Sequence, residues 1–198
     1  MRKVAIFIFD EVEVLDFCGP FEVFAVTGAR SQEKPFDVFT VAETAAAITA
    51  RNGLSVNPKF SYADCPQADI LVIPGGYGTR ALLQKQTVLD WIKAQAGKAE
   101  LIMSVCTGSL LLGKAGLLDG LSATTHFNAM EELRKTAPNT EICPGQRIVD
   151  NGRILTSAGI SAGIDLSFHI VARLLGREVA QETARWMEYD YWKYHQNA

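Results

Sequence analysis

The 198-residue chain is 48% hydrophobic and 21% charged, the composition of one globular domain with a sizeable core. Its 19 Lys and Arg against 22 Asp and Glu give a net charge of −3, which offers no attraction for a nucleic acid or an anionic membrane. No apolar run approaches the roughly 20 residues that span a bilayer.

The opening Met1-Arg-Lys-Val4-Ala-Ile-Phe-Ile-Phe9 reads as a first strand rather than a signal peptide. Its apolar stretch is short, Asp10, Glu11 and Glu13 close it, and no small-residue cleavage site follows. Gly19-Pro20 then introduces a helix over Phe21 to Val26, with Pro20 expected in the first turn, where its missing N–H is harmless. Phe36 to Val41 is a second strand. Asn52-Gly53 joins strand segments Ala47 to Arg51 and Leu54 to Val56, and both turn residues are suited to positive φ. The same device recurs at Asn151-Gly152, between Arg147-Ile-Val and Arg153-Ile-Leu-Thr156. Both are expected to be small antiparallel excursions from the main sheet.

Asp69 to Ile73 is a further buried strand, stopped by Pro74-Gly75-Gly76. Val88 to Ala96 is a helix with Val88, Leu89, Ile92 and Ala96 on one face. Leu101 to Val105 is a strand and Thr107 to Ala115 a helix, with Cys106 at the bend. Met130 to Lys135 is a short helix. Ser161 to Leu175 is a longer one, capped by Gly176, and Glu178 to Tyr194 continues helically. Strands this apolar, alternating with helices, predict an α/β fold with a mainly parallel central sheet covered on both faces, in a single domain over 1–198.

Chemistry gathers at the carboxyl ends of such strands. Cys106 has small neighbours two before (Ser104) and two after (Gly108), the spacing of a nucleophile elbow. A helix N-terminus there favours thiolate over thiol, yet a buried structural cysteine fits the same local pattern. Asp16 follows the first strand in an apolar setting, which raises a carboxyl's pKa toward neutrality; capping of the next helix is the alternative. Gly75 and Gly76 leave backbone N–H groups bare. With that of Thr107 they are candidate donors to negative charge in a transition state, or simply a turn after a strand. His126 closes Ala123-Thr-Thr-His126 as a candidate base or a structural residue. His169 reads as structural, His195 as solvated, and Asp165 as favouring a helix N-terminus. Cys18, Cys65, Cys106 and Cys143 form no C-x-x-C pair and the three histidines are scattered, so no metal site and no disulfide framework is expected. Reduced thiols in the cytoplasm follow from that reading.

Together these residues resemble the ThiJ/PfpI superfamily. Val14-Leu-Asp16-Phe-Cys-Gly-Pro20-Phe-Glu-Val-Phe24, Ile73-Pro-Gly-Gly76, Ser104-Val-Cys106-Thr-Gly108, Ala123-Thr-Thr-His126 and Thr156-Ser-Ala-Gly-Ile-Ser-Ala-Gly-Ile-Asp165 match in order over nearly the whole chain. The resemblance implies a class I glutamine amidotransferase-like, flavodoxin-type three-layer sandwich. The nearest branch is the isocyanide (isonitrile) hydratases, which share Asp in Leu-Asp-x-x-Gly-Pro and Thr after the cysteine. It implies hydration of an isocyanide to an N-formamide, with Cys106 as nucleophile, Asp16 moving protons, and N–H groups near Gly76 and Thr107 lining the site. No cofactor is implied, because thiol, carboxyl and water suffice. The expected partners are a small-molecule substrate and a second copy in a homodimer, with neither nucleic acid nor membrane. Thr107 stands where protease-like branches carry His, and Cys18 stands where the hydratases usually carry Thr. The tail beyond Tyr189 is shorter and more aromatic than in that branch. The ligand-sensing domains of AraC-type regulators share nearly the same motifs and imply the alternative of a stand-alone small-molecule or redox sensor. The helix-turn-helix region those regulators add is expected to be absent.

Overall fold

The computed structural model describes residues 1–29 and 34–190. In chain order its elements are β1 (Arg2–Phe7), α1 (Val14–Val26), β2 (Phe36–Ala42), β3 (Ile48–Thr49), β4 (Ser55–Val56), β5 (Phe60–Ser61), β6 (Ile70–Ile73), α2 (Thr79–Leu82) and α3 (Gln86–Ala96). There follow β7 (Leu101–Val105), α4 (Gly108–Lys114), β8 (Ser122–Ala123), α5 (Met130–Thr136), β9 (Glu141–Ile142), β10 (Ile148–Asp150), β11 (Ile154–Ser157), α6 (Ala162–Leu175) and α7 (Arg177–Trp186). Seven strands form one sheet in the order β10-β11-β7-β6-β1-β2-β5. Every neighbouring pair is parallel except β10 with β11.

The central strands carry no polar alternation because both faces are covered. Val4, Ala5, Ile6, Ile70, Leu71, Val72, Ile73 and Ile102 are fully buried. Helices α1, α6 and α7 pack together over one face, and α3, α4 and α5 over the other. Chain order runs outward from β1 through β2 in one direction and from β6 through β7 in the other. The reversal between β1 and β6 is a topological switch point, where crevices open beyond the strand ends in this architecture.

Four expectations are corrected. Helix α1 begins at Val14, so Pro20 lies in its interior and Asp16 in its first turn rather than at a cap. Pro20 has no N–H for the carbonyl of Asp16. The helix is held instead by packing: Gly19 lies so close to Ile164 of α6 that a Cβ there would come within 2.8 Å of its Cγ1. At Asn52-Gly53 the antiparallel excursion forms, β3 pairing with β4 in a two-stranded sheet apart from the main one, but the connection is a longer loop with a short 3-10 turn at Arg51–Gly53 rather than a two-residue turn; both residues have positive φ (62° and 87°). The Asn151-Gly152 hairpin is no excursion, because β10 forms the edge of the main sheet. The last helix stops at Trp186, with Met187 as its C-cap; the expectation that it continues through Tyr194 runs, from Tyr191 onward, outside the described residues. No described helix is long and apolar enough to cross a membrane.

Candidate active site

Strand β7 delivers Cys106 to the switch-point end of the sheet. The residue adopts φ 55°, a left-handed conformation that is sparse for a non-glycine residue and recurs at functional turns. Several bonds hold the strained bend. The Cys106 N–H is shared between the carbonyls of Ser157 and Ala158, each at 3.2 Å. Its carbonyl accepts from Thr125 Oγ1 at 2.9 Å and Ser109 Oγ at 3.2 Å. Glycine is required at 108, where a Cβ would collide with the carbonyl of Ile73 on the neighbouring strand.

Asp16, fully buried on α1, meets this bend from the other side of the switch point. Its Oδ2 accepts from the Gly75 N–H at 3.0 Å. Its Oδ1 is buried without a hydrogen-bond partner. Burial raises the Asp16 pKa to about 7, with the charge of Glu13 adding to the rise, against the opposing bond from the Gly75 N–H and the nearby Cys106 thiol. Burial and then the charge of Asp16 push the Cys106 thiol up to about 12. The N–H groups of Thr107 and Ile160 and the Thr107 hydroxyl act in the opposite sense at the sulfur. Burial and the facing carboxyl therefore oppose the thiolate that a helix N-terminus favours. Helix α4, only seven residues long, and its N–H groups do not overcome burial and a facing carboxylate. Of the two groups the carboxyl ionises first, so the first negative charge of the pair sits on Asp16 rather than on sulfur.

The expected donors are rearranged as well. The N–H of Gly75 is taken by Asp16, and that of Gly76 by Thr107 Oγ1 at 2.9 Å, so neither faces the sulfur as a free donor. Gly75 is still indispensable sterically. A Cβ there would lie 2.5 Å from Thr107 N, 2.6 Å from Thr107 Oγ1 and 2.9 Å from Asp16 Oδ2. The groups near the thiol that lower its pKa are the Thr107 N–H and hydroxyl and the Ile160 N–H. Ile160, at φ 51°, is a backbone contribution that its side chain does not announce. Among the described residues no hydrogen bond joins the His126 ring to the thiol. Its Nδ1 accepts from the Asn128 N–H at 3.3 Å, and its ring lies against Gly159, next to Ile160. Cys18, two residues after Asp16 on α1, projects from a different helical face and packs with the core. Asp165 is more than a helix-end charge: it pairs with Arg147 and accepts from the Tyr189 hydroxyl at 2.7 Å. His169 bonds Asp150 Oδ2 at 2.8 Å, far along α6 from the thiol. All four cysteines are free. Among the described residues no cluster of three His, Cys, Asp or Glu side chains is arranged to hold a metal ion.

Comparison with known proteins places this geometry in a lineage. The chain is 35% identical over 187 residues to an isonitrile hydratase of Pseudomonas putida, covering 94% of this chain and 78% of that protein. It is 23% identical over 189 residues to the HTH-type transcriptional regulator GbdR of Pseudomonas aeruginosa, of whose length it spans 51%. A crystal structure of a ThiJ/PfpI family protein from Pseudomonas syringae superimposes with a TM-score of 0.86 at 30% identity, over 96% of this chain and 75% of that one. The DJ-1/PfpI family profile matches residues 2–173, and the chain belongs to that family.

Proposed function

We propose that the protein is a cysteine-dependent hydratase that converts an isocyanide into an N-formamide, with Cys106 as nucleophile and Asp16 as general acid and base. The observation that carries this reading is a thiol buried at a left-handed turn and facing a buried carboxyl, which the Gly75 N–H holds and whose pKa burial raises to about 7. A carboxylate so placed takes the thiol proton as sulfur attacks, and its conjugate acid returns that proton at neutral pH. Sulfur forms a bond to the terminal isocyanide carbon while Asp16 delivers the proton to the same carbon, giving a thioimidate, R–N=CH–S–Cys106. Water then adds to that carbon. Asp16 takes a proton from the water, and the imidate nitrogen becomes N–H. Collapse of the resulting R–NH–CH(OH)–S–Cys106 expels the thiol and releases R–NH–CHO. Thiol, carboxyl and water balance every step, so the reading requires no cofactor. The N–H groups of Thr107 and Ile160 support charge on sulfur as it attacks and as it leaves.

The likeness to an isonitrile hydratase over most of both chains favours this chemistry. The reading includes a homodimer working in the cytoplasm on a small-molecule substrate, with neither nucleic acid nor membrane as partner. Formamide release from cyclohexyl or aryl isocyanide, followed by chromatography, tests it: wild type turns over and Cys106→Ala does not. No turnover by wild type would overturn the hydratase reading. A stand-alone ligand or redox sensor is the second reading, favoured by the likeness to a transcriptional regulator over 96% of this chain.

A further inference from the structure

The dipeptide Asn-Gly occurs twice in the chain, and the fold treats its two copies differently. Glycine has no Cβ to shield its nitrogen, so that nitrogen can attack the side-chain amide of a preceding asparagine wherever the backbone allows it. Asn151 is held against this. Its Nδ2 donates to the carbonyls of Ser122 at 2.8 Å and Ile154 at 3.2 Å, and its Oδ1 accepts from the Ser122 N–H at 3.1 Å. The Gly152 N–H donates to Asp150 Oδ1 at 2.7 Å. These bonds tie the turn between β10 and β11 to the start of β8, and ring closure at Asn151 would break all four.

Asn52 has no such restraint. Among the described residues its side chain makes no hydrogen bond, and both Asn52 and Gly53 are exposed. The Gly53 N–H donates to the Ala50 carbonyl at 3.1 Å, within a three-residue turn that stands outside the main sheet. Breaking that local bond frees the Gly53 nitrogen to turn toward Asn52 Cγ.

We propose that Asn52 is a site of spontaneous deamidation and that the fold protects Asn151 from the same reaction. The Gly53 nitrogen forms a bond to Asn52 Cγ and gives up its proton to solvent, while the side-chain nitrogen leaves as ammonia. The product is a five-membered succinimide. Water then adds to one of its two carbonyls, and the ring C–N bond at that carbonyl breaks. Addition at Cγ gives aspartate. Addition at the main-chain carbonyl gives isoaspartate, whose backbone is longer by one carbon. Water is the one co-reactant. Either product places a new carboxylate beside Arg51, whose guanidinium bonds Glu11 at 2.6 Å and lies 4.3 Å from the centre of the Tyr77 ring. The Arg51 N–H donates to the Val12 carbonyl at 2.9 Å, and Val12 bridges Gly76. The altered loop thus adjoins the strand end whose Gly75 N–H holds Asp16.

The test is peptide mapping by mass spectrometry of the full chain incubated at pH 8, with a parallel sample unfolded in urea. The amide-to-acid mass gain is followed at each position, and fragmentation separates aspartate from isoaspartate. In the folded protein position 52 should convert roughly tenfold faster than position 151 or more, because conversion at 151 waits on the opening of a bonded hairpin. Isoaspartate should be among the products at 52. In urea the two positions should convert at similar rates, since the same dipeptide is then free at both. Gly53→Ala, checked for folding by its thermal transition, places a Cβ beside the attacking nitrogen. It should slow conversion at 52 severalfold and leave 151 unchanged. Equal rates at the two positions in the folded protein overturn the proposal, as does conversion at 151 ahead of 52. So do a preference for 52 that persists unchanged in urea, a lack of isoaspartate at 52, and a Gly53→Ala rate equal to that of wild type.

Discussion

Replacing Asp16 with Asn should stabilise the protein in a pH-dependent way. In the fold the Asp16 pKa is raised from 3.8 to about 7, chiefly by burial. That difference of about three powers of ten in proton affinity corresponds to about 4 kcal/mol at 1.36 kcal/mol per unit. Relaxation and water entry around the ionised group make about 2–3 kcal/mol a more realistic expectation. The sign follows from linkage. Below pH 3.8 the carboxyl is protonated in both folded and unfolded chains, and ionisation takes nothing from stability. As pH rises from about 4 to about 7 the unfolded chain ionises freely while the folded one resists, so wild type progressively loses stability, and the loss is complete above 7. Asn is neutral throughout and keeps an oxygen for the Gly75 N–H. Urea unfolding of both proteins between pH 4.5 and 8.5 should therefore show Asp16→Asn gaining on wild type up to about pH 7 and holding that gain above it. A stability difference constant across that range would refute the assignment of Asp16 as the buried, proton-exchanging group.

If ionised Asp16 takes the thiol proton, kcat/KM for isocyanide hydration should rise about tenfold per pH unit below 7 and level off above it. A flat profile from pH 5.5 to 8 would contradict that role. Gly75→Ala forces a Cβ to within 2.5–2.9 Å of Thr107 and Asp16. It should destabilise the fold by about 1–3 kcal/mol and slow Cys106 alkylation; chemical denaturation and an alkylation time course measure the two effects.

The parts of the molecule written as apolar runs were legible. Strands β1, β2, β6 and β7 announce themselves because burial on both faces removes polar residues. Helix α6 shows both its face and its Gly176 stop. The elbow was legible for a steric reason, since Gly108 must sit against the carbonyl of Ile73. The start of α1 was hidden by Pro20, which local rules assign to a first turn, whereas packing of α1 on α6 keeps the helix intact through it. The seat of the charge was also hidden. A helix N-terminus argues for thiolate, and the strand ends bring Asp16 and Cys106 to one site, but the depth of burial there, where the facing carboxylate reverses that preference, is not written in the sequence. Ile160 left no signal because its contribution is a backbone N–H aimed by a positive φ.

The central claim is a covalent bond between Cys106 and the substrate carbon. Rapid-quench mass spectrometry under single-turnover conditions with an aryl isocyanide tests it most directly. The account predicts a transient mass gain equal to the whole isocyanide, confined to the peptide that contains Cys106 and decaying as formamide appears. Formamide released at the wild-type rate by Cys106→Ala, or an adduct confined to Cys18, Cys65 or Cys143, would contradict it.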